Sequence, residues 1–85
     1  MKQKIEQFVK DLNGRFRHHI SDELMIAYLC DQFEKEKHES GEGALEQNIA
    51  YRSCIYLFET LLEYGCKESM NGHHVAQKFC EYFKD

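Results

Sequence analysis

Proline and tryptophan are both missing from this sequence of 85 residues, and only five glycines interrupt it. Without proline no helix interior is forced to kink and no turn has a locked φ. The strong breakers are therefore the glycines at 14, 41, 43, 65 and 72, which divide the chain at three places. Long apolar runs are missing too. The longest is the seven residues from Leu24 to Cys30, well short of the roughly 18 to 20 that span a bilayer. Positive charge is also scarce: the net charge is −4 and the pI near 5.7, which argues against the broad basic footprint used to neutralise nucleic-acid phosphates. The segment Met1-Lys2-Gln3-Lys4-Ile5-Glu6-Gln7 has neither the continuous apolar stretch nor the small-residue cleavage site of a secretory leader. The expected location is therefore the cytoplasm, with the four cysteines held as reduced thiols.

What is present describes a soluble globular chain, 42% hydrophobic and 31% charged. Twenty-eight large apolar side chains are enough for one compact core, read as a single domain over 1–85. At this size stability is usually marginal, and self-association relieves the margin.

Between the glycines the apolar residues recur at helical spacing, and no alternating Val/Ile/Thr-rich run occurs. The expected fold class is all-α, a small four-helix, bundle-like domain with its third helix central. The first helix is predicted over about 2–13, where Ile5, Phe8, Val9 and Leu12 form one stripe and Gly14 supplies a left-handed cap. Ser21 followed by Asp22 and Glu23 starts a second helix over about 22–37. Its stripe is Ile26, Leu29, Cys30 and Phe33. Leu24, Met25, Ala27 and Tyr28 make its first turns apolar nearly all round, so that end is expected to be buried by several neighbours, and its far end to fray toward Ser40. A third helix over about 44–64, closed by Gly65, carries two adjacent rows, Tyr51/Ile55/Phe58/Leu62 and Ala50/Cys54/Leu57/Leu61. After a polar loop over 66–72, a fourth helix over about 73–84 buries Ala76, Phe79, Cys80 and Phe83, with Val75 and Tyr82 beside them.

Four cysteines and five histidines suggest metal, but the cysteines lie 24, 12 and 14 residues apart and form none of the short clips that put two ligands on one turn. Cys30, Cys54 and Cys80 fall on apolar stripes and read as small core hydrophobes. Cys66, His73, His74 and Cys80 are the single grouping able to converge around one loop, and Cys66 itself reads as an exposed loop thiol. No nucleophile elbow, phosphate-cradling loop or His-Glu-x-x-His pattern is present. A non-enzymatic role without a cofactor is the expectation.

Binding to another protein is the leading functional expectation. Tyr51, Ile55, Tyr56, Phe58 and Leu62 cover more of the third helix than two short neighbours hide, and tyrosine suits interfaces because its ring buries while its hydroxyl stays wet. A homodimer is the commonest way to close such a patch. The segment 31–46 holds six acids against two lysines, and Glu34, Glu36, Glu39 and Glu42 are expected to form a negative docking edge. The combined reading is a regulator or inhibitor that occupies a partner's surface. The alternative is a nucleic-acid-associated regulator using Lys10, Arg15, Phe16 and Arg17 of the basic connector 15–19, with Phe16 stacking on a base. The competing role for Phe16 is to plug the core one turn after Leu12.

Overall fold

The computed structural model describes residues 1–41 and 43–84, with Glu68 and Ser69 described by their backbone alone. Among the described residues the architecture is all-α, with no strand. Helix α1 spans Lys2–Asp11, α2 Asp22–Ser40 and α3 Glu46–Glu63; a short 3₁₀ helix at Lys67–Asn71 then leads into α4, Gly72–Glu81. None of these helices is long and apolar enough to cross a membrane.

Helix α3 is central, as its double apolar row requires. The row Ala50, Cys54, Leu57 and Leu61 is buried throughout. The neighbours of α3 are α2, the 3₁₀ helix and α4. Helix α1 packs instead on α2 and reaches α4 through aromatic side chains. The Phe8 and Phe79 ring centroids lie 4.3 Å apart, Tyr82 meets Phe8 edge-on, and Phe33 of α2 stacks on Phe83 at 5.2 Å. Such pairs add specificity to the area they bury.

The helix ends differ from the sequence expectation in instructive ways. Helix α1 stops at Asp11, and Asn13 (φ 54°) and Gly14 (φ 74°) are both left-handed. Asparagine tolerates that region better than most residues, so the reversal occupies two residues where one was expected. Helix α2 does not fray. It continues to Ser40 because Phe33 and Glu36 lie on its inner stripe and Arg52 of α3 donates to the Ser40 hydroxyl at 2.8 Å. At its start Ser21 accepts a hydrogen bond from the Leu24 amide, the expected side-chain cap. The apolar opening of α2 is covered on one side only: Met25 and Leu29 are buried, whereas Leu24 and Ala27 face solvent. The expectation of burial all round fails because α1 and α3 are its two helical neighbours.

The C-terminus of α3 explains the segment expected to be a polar loop. The Gly65 amide donates to Leu62 O and the Cys66 amide to Leu61 O, with Gly65 at φ 89°. This is the paired hydrogen-bond pattern of a Schellman cap, in which the residue after the glycine makes an apolar contact back to the last turn. Cys66 and Leu61 fill those two positions and both are buried. The chain then tightens through the 3₁₀ helix, and α4 begins at Gly72, where an added Cβ would lie 2.9 Å from the Cβ of Phe58. The absence of a side chain at Gly72 sets how closely α4 approaches α3. After Glu81 the chain finishes in i→i+3 turns through Lys84 in place of a longer helix.

Two outcomes follow from this packing. Gly72→Ala should destabilise the fold by about 1–3 kcal/mol, read from urea unfolding, because the opposing Phe58 Cβ is fixed by its helix. The Tyr82 hydroxyl donates to the Asp11 carboxylate, which is also bonded by Gln7 at 2.9 Å. Hydrogen bonding from Tyr82, with Gln7 second, lowers the Asp11 pKa, and the same contact pushes Tyr82 up to about 12. A lowered carboxylate stabilises above its unfolded pKa and loses that contribution on acidification. A raised phenol stabilises below about 10 and loses its share as pH climbs further. Thermal melts should therefore weaken at both extremes, and Tyr82→Phe should flatten both limbs and move Asp11 toward its ordinary range by NMR titration.

Candidate functional site

The outer row of α3 divides where Phe58 turns inward. Phe58 is buried, its ring 4.9 Å from that of Phe16, so it is a core residue and not the surface contact expected of it. Tyr51 and Ile55 are half-buried. Tyr51 is tied to the start of α4 by a hydrogen bond between its hydroxyl and Nδ1 of His73. Tyr56 and Leu62 remain 48% and 44% exposed. Ile55, Glu59 and Leu62 form one wall of a groove of about 160 Å³, Met70, Gly72 and His73 form the other, and Phe58 adds to its lining. Met70 is 73% exposed on the groove rim and Tyr64, at the C-cap of α3, is 80% exposed.

Met70 and His73 belong to this face, although the residue pattern suggests no place there for Met70 and puts His73 only in the metal grouping. Met70 falls in a segment read as a polar loop, and the Schellman cap that folds it back against α3 depends on the buried Cys66. The Gly65-Cys66 pair one turn after Leu61 and Leu62 is the signal that carries this information.

The acidic edge is smaller than expected. Glu34 and Glu39 are exposed on α2, but Glu36 is only 6% exposed. It lies one turn beyond Phe33 and therefore points inward, where Gln32 donates to it at 3.3 Å and Arg52 approaches at 3.8 Å. Glu36 is a tie between α2 and α3 and is withdrawn from the docking edge. Glu42 lies outside the described residues.

The basic connector is arranged for folding. Phe16 is buried and plugs the core, so it is not available to stack on a base. The Arg15 guanidinium sits 5.4 Å from the Phe16 ring centre. Arg17 grips Asp22 through two hydrogen bonds, the shorter 2.8 Å, and this bond lowers the Asp22 pKa while raising that of Arg17. Lys10 is exposed and lines an open polar cleft together with Gln7, Asn13, Arg17 and Asp22. The positive charge of the connector is thus partly committed to an internal acid.

Cys66, His73, His74 and Cys80 do not form a cluster. Among the described residues no three His, Cys, Asp or Glu side chains are grouped as metal ligands. Cys66 is buried behind the Schellman cap, correcting its reading as an exposed thiol. His73 engages Tyr51, and the Cys80 thiol donates to Gln77 O at 3.1 Å. Burial pushes the Cys54 thiol strongly upward, with nearby Cys80 adding to the effect, and burial likewise raises Cys30.

No protein-family model matches the chain, and neither a curated protein nor a solved structure shows significant similarity to it.

Thiol chemistry and one substitution check this placement. In native protein Cys54 and Cys66 should react with a disulfide reagent orders of magnitude more slowly than after unfolding, because both thiols are buried out of the reagent's reach and burial also disfavours the Cys54 thiolate. Cys30 and Cys80 should react first, resolved by mass spectrometry of the labelled peptides. Phe16→Ala should cost about 3–5 kcal/mol of stability, whereas a surface base-stacking ring would cost almost nothing.

Proposed function

We propose that this protein is a non-enzymatic protein-binding regulator or inhibitor that docks the outer face of α3 onto a partner, acting in a reducing cytoplasm. The observation that carries this reading is the coexistence of Tyr56, Leu62, Tyr64 and Met70 as solvent-facing groups on and beside one helix. Scattered single apolar residues need no explanation, but four on and beside one helix, with Leu62 and Met70 lining its groove, resemble on a chain this small the anchor-and-rim arrangement of interfaces. A free cost of exposure accompanies each of them, and contact with another protein removes it.

The exposed acids of α2, Glu34 and Glu39, fit a secondary electrostatic role. Charges on an open helix contribute little to affinity but raise the rate of encounter with a basic surface, and salt screens that effect. The four thiols are all unpaired, in keeping with a reducing compartment. A role in nucleic-acid association has less support, since Phe16 is inside the core and Arg17 is engaged by Asp22.

Tagged protein used as bait in an extract of its native host should retain a specific partner that a Tyr56→Glu/Leu62→Glu variant loses by at least about tenfold, while circular dichroism shows both folded alike. Arg15→Glu should leave retention intact. Retention that survives the double substitution, or nucleic acid in place of protein on the bait, ends this reading.

A further inference from the structure

The groove itself points to the identity of one partner, an inference that rests on the docking role of this face. Its two walls are chemically unlike. The α3 wall offers Ile55, Leu62 and the carboxylate of Glu59, whereas the opposite wall offers Met70, the bare backbone of Gly72 and the imidazole of His73. The Nδ1 atom of His73 is taken by Tyr51, so Nε2 is the nitrogen left for an outside group. One groove thus displays an acceptor on one side and an imidazole nitrogen on the other, flanking an apolar floor.

We propose that two copies of this chain pair face to face through this groove, related by a two-fold axis running along it. That axis sets the α3 wall of each copy against the Met70–His73 wall of the other, because in an isologous interface every contact occurs twice with the roles exchanged. Glu59 of one copy then faces His73 of the other, in two symmetric contacts. Met70, projecting from the rim, enters the groove of its counterpart, where an unbranched, flexible thioether suits an irregular apolar gap. A segment that offers only a partner for the carboxylate, or only one for the imidazole, would satisfy one wall and leave the other unmatched; a second copy satisfies both.

Leu62 and Met70, the exposed apolar side chains that line the groove, are 44% and 73% open to solvent, so each copy has apolar surface to cover there. The modest size of the chain adds a motive, since a small core gains most from a second one beside it.

Sedimentation equilibrium on the purified full-length protein, from roughly 5 to roughly 500 µM, tests the proposal. The expected result is a reversible monomer–dimer equilibrium in which Leu62→Glu and Met70→Glu, both at exposed positions, each weaken dimerisation by at least about tenfold. Glu59→Lys should weaken it as well, and Glu59→Lys/His73→Glu should restore it in part, because the double substitution re-creates both cross-subunit contacts with the walls exchanged. Circular dichroism confirms the fold of each variant. A strict monomer at the highest concentration overturns the proposal, as does a dimer indifferent to Leu62→Glu and Met70→Glu. A dimer that those two changes dissolve but Glu59→Lys does not overturns the two-fold arrangement. If the wild type is monomeric yet Leu62→Glu still abolishes retention of a host protein, the docking role stands and self-pairing falls. A dimer dissolved by these changes with no host protein retained sustains self-pairing and removes the heterologous partner.

Discussion

The structure turns on the surroundings of one side chain, Phe58. Its ring is met by Phe16 from the connector between α1 and α2, and its Cβ is approached by the backbone of Gly72 at the start of α4. Two separate parts of the chain are thereby pinned to the middle of α3. Burying an aromatic ring contributes several kcal/mol to a fold whose entire margin is about 5–15, so this junction carries a substantial part of the stability. It also decides what is left outside. Because Phe58 rotates inward, Ile55 and Leu62 of the same row border a groove and do not form a continuous core ridge.

Much of this was legible in the residue pattern and the rest was not, for reasons that can be located. The four helices, the cap at Ser21 and the buried row Ala50/Cys54/Leu57/Leu61 all follow from local periodicity and local capping chemistry, which short windows of sequence contain. Glu36 and Cys66 were misread because their burial is decided by partners distant in the chain. A glutamate in a run of alternating charges looks solvated until Arg52 and Gln32 are seen beside it. Cys66 looks like a loop residue until the Gly65 cap folds it onto Leu61. The exposure of Tyr56 and Leu62 follows from the apolar circumference of α3, whereas the placement of Met70 and His73 beside Leu62 depends on where the 3₁₀ helix travels.

Charge in this protein ties segments of the fold together. Arg17 with Asp22 closes the connector against the start of α2, Arg52 bridges α3 to Ser40 and Glu36, and Tyr82 with Asp11 links the two ends of the fold. Exposed pairs of this sort are weak individually, yet each joins segments that apolar packing alone would leave free to slide. Glu34 and Glu39 stay exposed on α2, outside these ties.

The helix starts hold a further consequence. Ser21 gives α2 a side-chain cap, while α1, α3 and α4 begin at Met1, Leu45 and Asn71 with no side-chain hydrogen bond to their first turns. The outer two are only 10 residues long, below the length at which an isolated helix is stable in water. Neither has a local reason to exist apart from the others. Order in this protein is therefore collective: excised pieces should be coil, and the whole should melt as one unit rather than helix by helix.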